Sequence, residues 1–308
     1  MSTIKSRTVK SDLLLLLASA IWGFAFVAQR KGMEFIGPFT FNGIRFALGS
    51  LWLIPFLSQK RSGSVPATEL QTSVKMNPVF AGILLGIILF GGASLQQIGI
   101  VYTSAGKAGF ITGLYVIIVP IFGIFLKKPS TPITWIAAIL ATIGLYFLSV
   151  KGDFLISKGD LLVLLSAFFW AGHVQFIDWL VNRYQPLLLA FLQFITCSVL
   201  SLVAALYFET IDLSLIWKAV IPILYAGLLS VGMGYTLQLL GQREAHPSHA
   251  AIILSLESVF AVLGGFVLLN EFMQFREILG CSLMLCAMIL SQIRLKNSRR
   301  VLFNETRV

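Results

Sequence analysis

Charge is what this sequence has least of. Only 12% of its 308 residues are Asp, Glu, Lys or Arg, and just 13 of those are acidic. A water-soluble fold of this length carries about twice that charged fraction, so a soluble globular domain is excluded. Histidine and cysteine are scarce too, at three each. Cys197, Cys281 and Cys286 fall in apolar stretches without metal-site spacing, which argues against a zinc site and against a disulfide framework. No Gly-x-Ser-x-Gly, His-Glu-x-x-His or Gly-Lys-Ser/Thr sequence occurs. The nucleophile elbow, the metalloprotease helix and the phosphate-cradling loop are therefore missing. The chain does not read as an enzyme, and no cofactor or metal is expected. The ten-residue alternation of a membrane β-barrel is absent as well.

What is present is hydrocarbon. The chain is 57% hydrophobic, its mean hydropathy is +0.88, and its apolar runs reach the roughly 20 residues that a helix needs to cross a bilayer. The fold class expected is an all-α membrane protein with ten transmembrane helices. The expected spans are 13–29, 39–57, 78–98, 104–126, 133–150, 160–181, 186–208, 217–240, 247–270 and 275–293. Ser11-Asp12 is expected to cap the first, which has no small-residue cleavage site and reads as a retained helix. Gly37-Pro38 turns the chain, and Lys127-Lys128-Pro129 ends span four.

The net charge of +10 invites nucleic acid as a partner, but its distribution points to a bilayer. With the N-terminus inside, 15 Lys and Arg fall on the inner side and 7 on the outer. Both termini are therefore expected in the cytoplasm.

The sequence also repeats itself. Asp12-Leu-Leu-Leu-Leu-Leu-Ala-Ser-Ala-Ile-Trp22 matches Asp160-Leu-Leu-Val-Leu-Leu-Ser-Ala-Phe-Phe-Trp170 at a shift of 148 residues. The same shift carries Pro38 to Pro186 and Arg45 to Gln193. Further on the shift falls to 142, so that Lys107 overlays His249 and Tyr115 overlays Glu257. The domains expected are a tail at 1–11, a first repeat at 12–150, a linker at 151–159, a second repeat at 160–293, and a basic tail at 294–308. Five spans per repeat is an odd number, so the copies enter the membrane from opposite sides. Two inverted five-helix repeats give a physical route to alternating access.

Particular residues resemble a known family. Ala20-Ile-Trp-Gly-Phe-Ala-Phe26, Gly37-Pro38, Arg45-Phe46 and Gly106-Lys-Ala-Gly-Phe-Ile-Thr-Gly113 resemble the first EamA repeat of the drug/metabolite transporter superfamily. Leu254-Ser-Leu-Glu-Ser-Val-Phe260 and Leu268-Leu-Asn-Glu271 resemble its second. The resemblance implies a ten-helix carrier in a bacterial inner membrane that moves small metabolites, often outward. Two positions depart from the family pattern. Ser258 replaces a frequent proline, so span nine is expected to be less kinked. Lys128 replaces a frequent acidic residue, which removes one contact at a helix end.

Polar groups inside the spans are the candidate site. Glu257 sits mid-span and either couples protons, meets a cationic substrate group, or links helices. Tyr115 is its counterpart, and these two are the expected centre. Arg45 clamps a carboxylate or pairs within the bundle. Trp22, Trp170 and Tyr115 stack on substrate or simply pack. His173 lines a cavity or is a satisfied core residue, and Gln97, beside Gln96, is a buried amide that needs a partner. Lys107 and His249, near opposite membrane faces, are expected to gate. Asp178 is expected to pair with Arg183 or solvent. Gly82, Gly86, Gly91 and Gly92 space a helix face for close packing.

The function expected is secondary transport of a small polar or amphipathic metabolite, with amino acids and related compounds leading and export as the direction. The alternative is a membrane-embedded scaffold or sensor. The partners expected are the substrate, the lipid bilayer, a proton or sodium as coupling ion and a second copy in a homodimer. Nucleic acid is not among them.

Overall fold

Proline sets many of the helix starts. Its fixed φ and missing N–H suit the first turn, and Pro38, Pro78, Pro132, Pro186 and Pro247 each open a helix. The computed structural model describes residues 2–57, 76–103, 105–149, 157–269 and 274–291, and among them every regular element is helical. In chain order these are α1 (Ser2–Gly32), α2 (Pro38–Leu57), α3 (Pro78–Tyr102), α4 (Ala105–Gly113), α5 (Tyr115–Phe125), α6 (Pro132–Ser149), α7 (Lys158–Leu180), α8 (Pro186–Phe208), α9 (Leu213–Lys218) and α10 (Val220–Leu224). A π-helix, Tyr225–Tyr235, then leads into α11 (Thr236–Gln242), α12 (Pro247–Leu254), α13 (Glu257–Leu269) and α14 (Phe275–Ser291). Among the described residues seven stretches are long and apolar enough to cross a membrane, and Pro132–Phe147 and Pro247–Leu263 are shorter apolar helices.

Three expected spans are not single α-helices. Span four divides at Leu114, where Leu114 N–H donates to the Ile111 carbonyl at 3.3 Å and Ile117 N–H to that of Leu114 at 3.0 Å. Span nine divides at Ser255–Leu256, where Leu256 donates to Ile253 at 3.1 Å and Ser258 to Ser255 at 3.2 Å. Both breaks use the tighter three-residue spacing in place of the α-helical four. Ser258 therefore does not straighten span nine, because the break lies upstream of it. Span eight comprises α10, the π-helix and α11, with three glycines at 227, 232 and 234 inside the π-helix. Asp12 is not a cap. The helix begins at Ser2, which leaves Asp12 inside α1.

Helices from the two halves of the chain pack on each other. α2 lies along α8, α3 along α7 and α8, and α6 along α14, while α1 runs against α13, the π-helix and α11. Small residues bring α3 close, as its glycine spacing predicts. Gly86 faces Thr196, and a Cβ added there would sit 2.5 Å from the Thr196 Cβ. Gly91 faces the Phe169 ring in the same way.

Polar ties close both ends of the bundle. At one end His249 Nε2 lies 2.8 Å from Asp12 Oδ1 and His249 Nδ1 lies 2.9 Å from Ser291 Oγ. Lys128 pairs there with Asp178. The expected Asp178–Arg183 contact is not made, since Arg183 stacks over Trp179 at 4.6 Å. The turn at Lys127, with φ 56°, swings Lys128 back onto α7, so Lys128 gains a helix-end contact. At the other end Arg30 donates to the Thr103 carbonyl at 3.2 Å, and the Thr103 hydroxyl donates to Asp160. Asp160 also completes a capping box with Ser157.

Candidate functional site

The two breaks meet at one cavity. Thr112 and Tyr115 flank the first break and Leu254 and Glu257 flank the second, and all four line a space of about 550 Å³ that is partly open to solvent. A break suits such a place, because the backbone groups it frees must find partners or water. Tyr115 and Glu257 are each the first residue of the second segment, α5 and α13.

α1, α2 and α7 complete much of the wall. Trp22, Arg45, Trp170 and His173 all face the cavity. Six of the seven sequence-derived site residues are thus brought together, and Gln97 is not among them. Its neighbour Gln96 lines the cavity and donates to Thr112 Oγ1 at 3.0 Å. Successive helical residues point about 100° apart, so Gln97 is turned into the packing, 3.5 Å from the Gln29 carbonyl. His249 lies at the bundle end, away from the cavity wall. Lys107 stands on α4, and its side chain lies outside the described residues.

Tyr235 is the centre that sequence reasoning missed. Its ring lies 4.8 Å from Trp22, 6.3 Å from Trp170 and 6.0 Å from His173. Trp22 and Trp170, the repeat-related pair, thus flank one tyrosine. Trp22 Nε1 also donates to the Ser230 carbonyl at 3.0 Å, which fixes that indole against the π-helix. The signal for Tyr235 was the run Gly232-Met-Gly-Tyr235, whose small residues let a ring and a neighbouring helix approach. Gly234 in fact packs on the Trp22 indole.

Several cavity groups lack a protein partner. Tyr115 Oη, Trp170 Nε1, His173 Nδ1 and Gln238 Oε1 are buried without a hydrogen bond among the described residues. His173 is held through its other nitrogen, 2.9 Å from Gln193 Oε1. The wall can therefore offer both donors and acceptors to a guest.

Gly23 brings α1 and α13 together at this site. A Cβ there would lie 2.5 Å from Phe260 Cβ and 2.6 Å from the Glu257 carbonyl oxygen. Gly23→Ala should therefore push α13 away and cost about 1–3 kcal/mol, measured as a lower thermal midpoint in detergent.

A model of the EamA-like transporter family matches residues 9–150 and again 157–292. An uncharacterized transporter of Archaeoglobus fulgidus is 31% identical over 289 residues, covering 94% of this chain and 87% of its own. The uncharacterized transporter YoaV of Bacillus subtilis is 25% identical over 292 residues, covering 92% and 97%. A solved crystal structure superposes with a TM-score of 0.74 at 17% identity, over 92% of this chain and 98% of that one. It shares the all-helical fold.

Proposed function

The chain belongs to the EamA-like transporter family, a transmembrane family of the drug/metabolite transporter superfamily, and from that premise we propose secondary active transport by alternating access between two inverted five-helix repeats. The observation that carries this is the pairing of the breaks. Leu114 and Leu256 are 142 residues apart, the shift by which the sequence repeats, and both breaks border one cavity. Discontinuous helices at a repeat interface are where carriers place substrate and coupling ions.

The packing supports the same two-fold relation. α3 against α7 is matched by the π-helix and α11 against α1, and α4 and α5 against α7 are matched by α12 and α13 against α1. α2 on α8 and α6 on α14 are each the pairing of an element with its own repeat mate. Two such halves can exchange roles, so an outward-open state has an inward-open mirror.

The substrate proposed is a small polar or amphipathic metabolite, amino acids and related compounds first, moved outward with a proton or sodium ion as coupling partner. The aromatic and amide groups of the wall fit that class. The membrane proposed is a bacterial inner membrane, crossed ten times with both termini inside, and α6 and α14 form the outer pair available for a homodimer. Purified protein in proteoliposomes should accumulate or release labelled metabolite at least tenfold faster than empty vesicles. Binding without flux for every compound that binds would instead mark a sensor of the same fold.

A further inference from the structure

His249 ties three helices together at one end of the bundle, and its bonds specify where its protons are. Nε2 lies 2.8 Å from Asp12 Oδ1 on α1, and Nδ1 lies 2.9 Å from Ser291 Oγ on α14. A carboxylate can only accept, so Nε2 donates. A serine hydroxyl has one proton to give, and that of Ser291 goes to the Met288 carbonyl at 2.7 Å. Nδ1 therefore donates as well. A ring that donates from both nitrogens is the imidazolium. It faces the Asp12 carboxylate with each of the two side chains only 14% exposed.

The other charged groups at this end are already engaged or exposed. His246, three residues earlier, is wired the opposite way: its Nδ1 accepts from Ser248 N–H at 3.3 Å, so that nitrogen is bare and the ring is neutral. Lys128 and Asp178 pair with each other. Lys10, Arg243 and Glu244 are exposed, and Arg294 and Lys296 beyond α14 lie outside the described residues. Asp12 is the charge that answers His249.

Loss of one proton breaks this arrangement whichever nitrogen gives it up. A bare Nε2 would set its lone pair against the Asp12 carboxylate. A bare Nδ1 would meet the Ser291 oxygen, and the hydroxyl could turn to it only by leaving the Met288 carbonyl. Histidine changes charge between about pH 5 and 8. The tie is therefore complete on the acid side of that range and weakens as pH rises through it. The repeat makes it one-sided. At the shift of 142 residues the first copy has Lys107 where the second has His249, and lysine keeps its charge throughout that range.

We propose that Asp12, His249 and Ser291 form a proton site that latches the inner mouth: a proton taken from the cytoplasm joins α1 to α12 and α14 and closes that mouth, and its release frees it. The latch spans the two halves of the chain, with α1 from the first and α12 and α14 from the second. It therefore opposes the relative movement that alternating access needs at this end. An acid cytoplasm holds the cavity away from the inner side, whatever the substrate. This inference rests on the transport reading for the meaning of a mouth, and on the proton count alone for its chemistry.

Two measurements on the full chain test it. Nitrogen NMR of protein carrying isotope-labelled histidine reads each ring nitrogen directly, with His249→Gln identifying the signals. His249 should show two protonated nitrogens at about pH 5.5 and one at about pH 8.5, either side of the ordinary histidine range. Opening of the mouth is read in sealed vesicles, with an impermeant maleimide added on the side of the chain's N-terminus. The reporter is Gln238→Cys in the cavity wall, with labelling of the three native cysteines subtracted. Variants are compared at one pH at a time, so the chemistry of the thiol cancels. His249→Lys keeps a charge opposite Asp12 and should label slowly at both pH values. His249→Gln should label about tenfold faster at both, the scale of one hydrogen bond to a charged group. The parent should match His249→Lys at the lower pH and His249→Gln at the higher. If a His249 variant does not fold, Asp12→Asn supplies the fast limit, and the parent should approach it only at the higher pH. A parent whose ratio to the variants ignores pH, or a His249 with a bare nitrogen at the lower pH, would overturn the proposal. A mouth that switches with pH in a chain that carries no metabolite in proteoliposomes would refute transport and leave the latch standing. Flux through a mouth that ignores pH would do the reverse.

Discussion

Glu257→Gln is expected to leave the protein folded and to slow coupled transport by roughly tenfold to hundredfold, the loss expected when a hydrogen bond to a charged group is removed. The substitution keeps the side chain's shape. It removes the group that can ionise, and Glu257 is buried at 6% exposure. Stability should therefore be unchanged or higher, since the amide is no costlier to bury than the carboxyl group in either protonation state. The loss should appear when substrate is present. If the carboxylate exchanges a proton for a substrate ammonium, the variant should also lose the pH dependence of flux, measured in proteoliposomes across pH 5 to 9. The other titratable groups facing this space are Tyr115, Tyr235, His173 and Arg45. A variant that is slow yet keeps the parent's pH profile would remove Glu257 from coupling and leave His173 as the group to test.

The candidate site was legible in the sequence to the extent that the repeat exposed it. The sequence alone pairs Tyr115 with Glu257 by a shift of 142 residues, and Trp22 with Trp170 by a shift of 148. Those pairings hold in space because each residue sits at the same place in its own copy. Arg45 and His173 could be found as polar groups in apolar runs. Gln97 and Gln96 could not be told apart, because periodicity finds the helix and leaves the orientation of its faces to the neighbours. Tyr235 was marked only by the small residues of Gly232-Met-Gly-Tyr235. An aromatic residue in an apolar span looks like packing, and only a π-helix, which composition does not announce, turns it into the cavity. The Lys128–Asp178 and His249–Asp12 pairs were equally hidden. Their partners lie 50 and 237 residues away, and which charges meet across a bundle depends on turns such as the one at Lys127.

Glu209→Ala should lower stability by about 2 kcal/mol, the upper part of the range for losing a helix cap. The reason begins with Gly37. The first N–H groups of a helix need acceptors from outside it. α3 and α7 obtain theirs from the side chains of Asn77 and Ser157, just before each helix, but Gly37 has no side chain to offer α2. Glu209, at the end of α8, supplies the acceptor from 170 residues away. Its carboxylate accepts from Phe39 N–H at 2.7 Å, from Thr40 N–H at 2.8 Å and from the Thr40 hydroxyl at 2.7 Å. The negative charge also suits the positive end of the α2 dipole. Glu209→Gln should cost about half as much, because Phe39 and Thr40 N–H sit on different carboxylate oxygens and the amide nitrogen that replaces one of them cannot accept. Gly37→Ala provides an independent check. A methyl group at Gly37 would overlap the Glu209 carboxyl group, so this variant should be destabilised by displacing the same cap. If the carboxylate is what both changes remove, the double variant Gly37→Ala/Glu209→Ala should be little less stable than Glu209→Ala alone. Full additivity in thermal or denaturant unfolding would mean that the two positions act separately. The bond also joins the two halves at the end of the bundle opposite the Asp12–His249 pair. Under alternating access, its loss should favour the state open at the Glu209 end, and Asp12→Asn should favour the state open at the other.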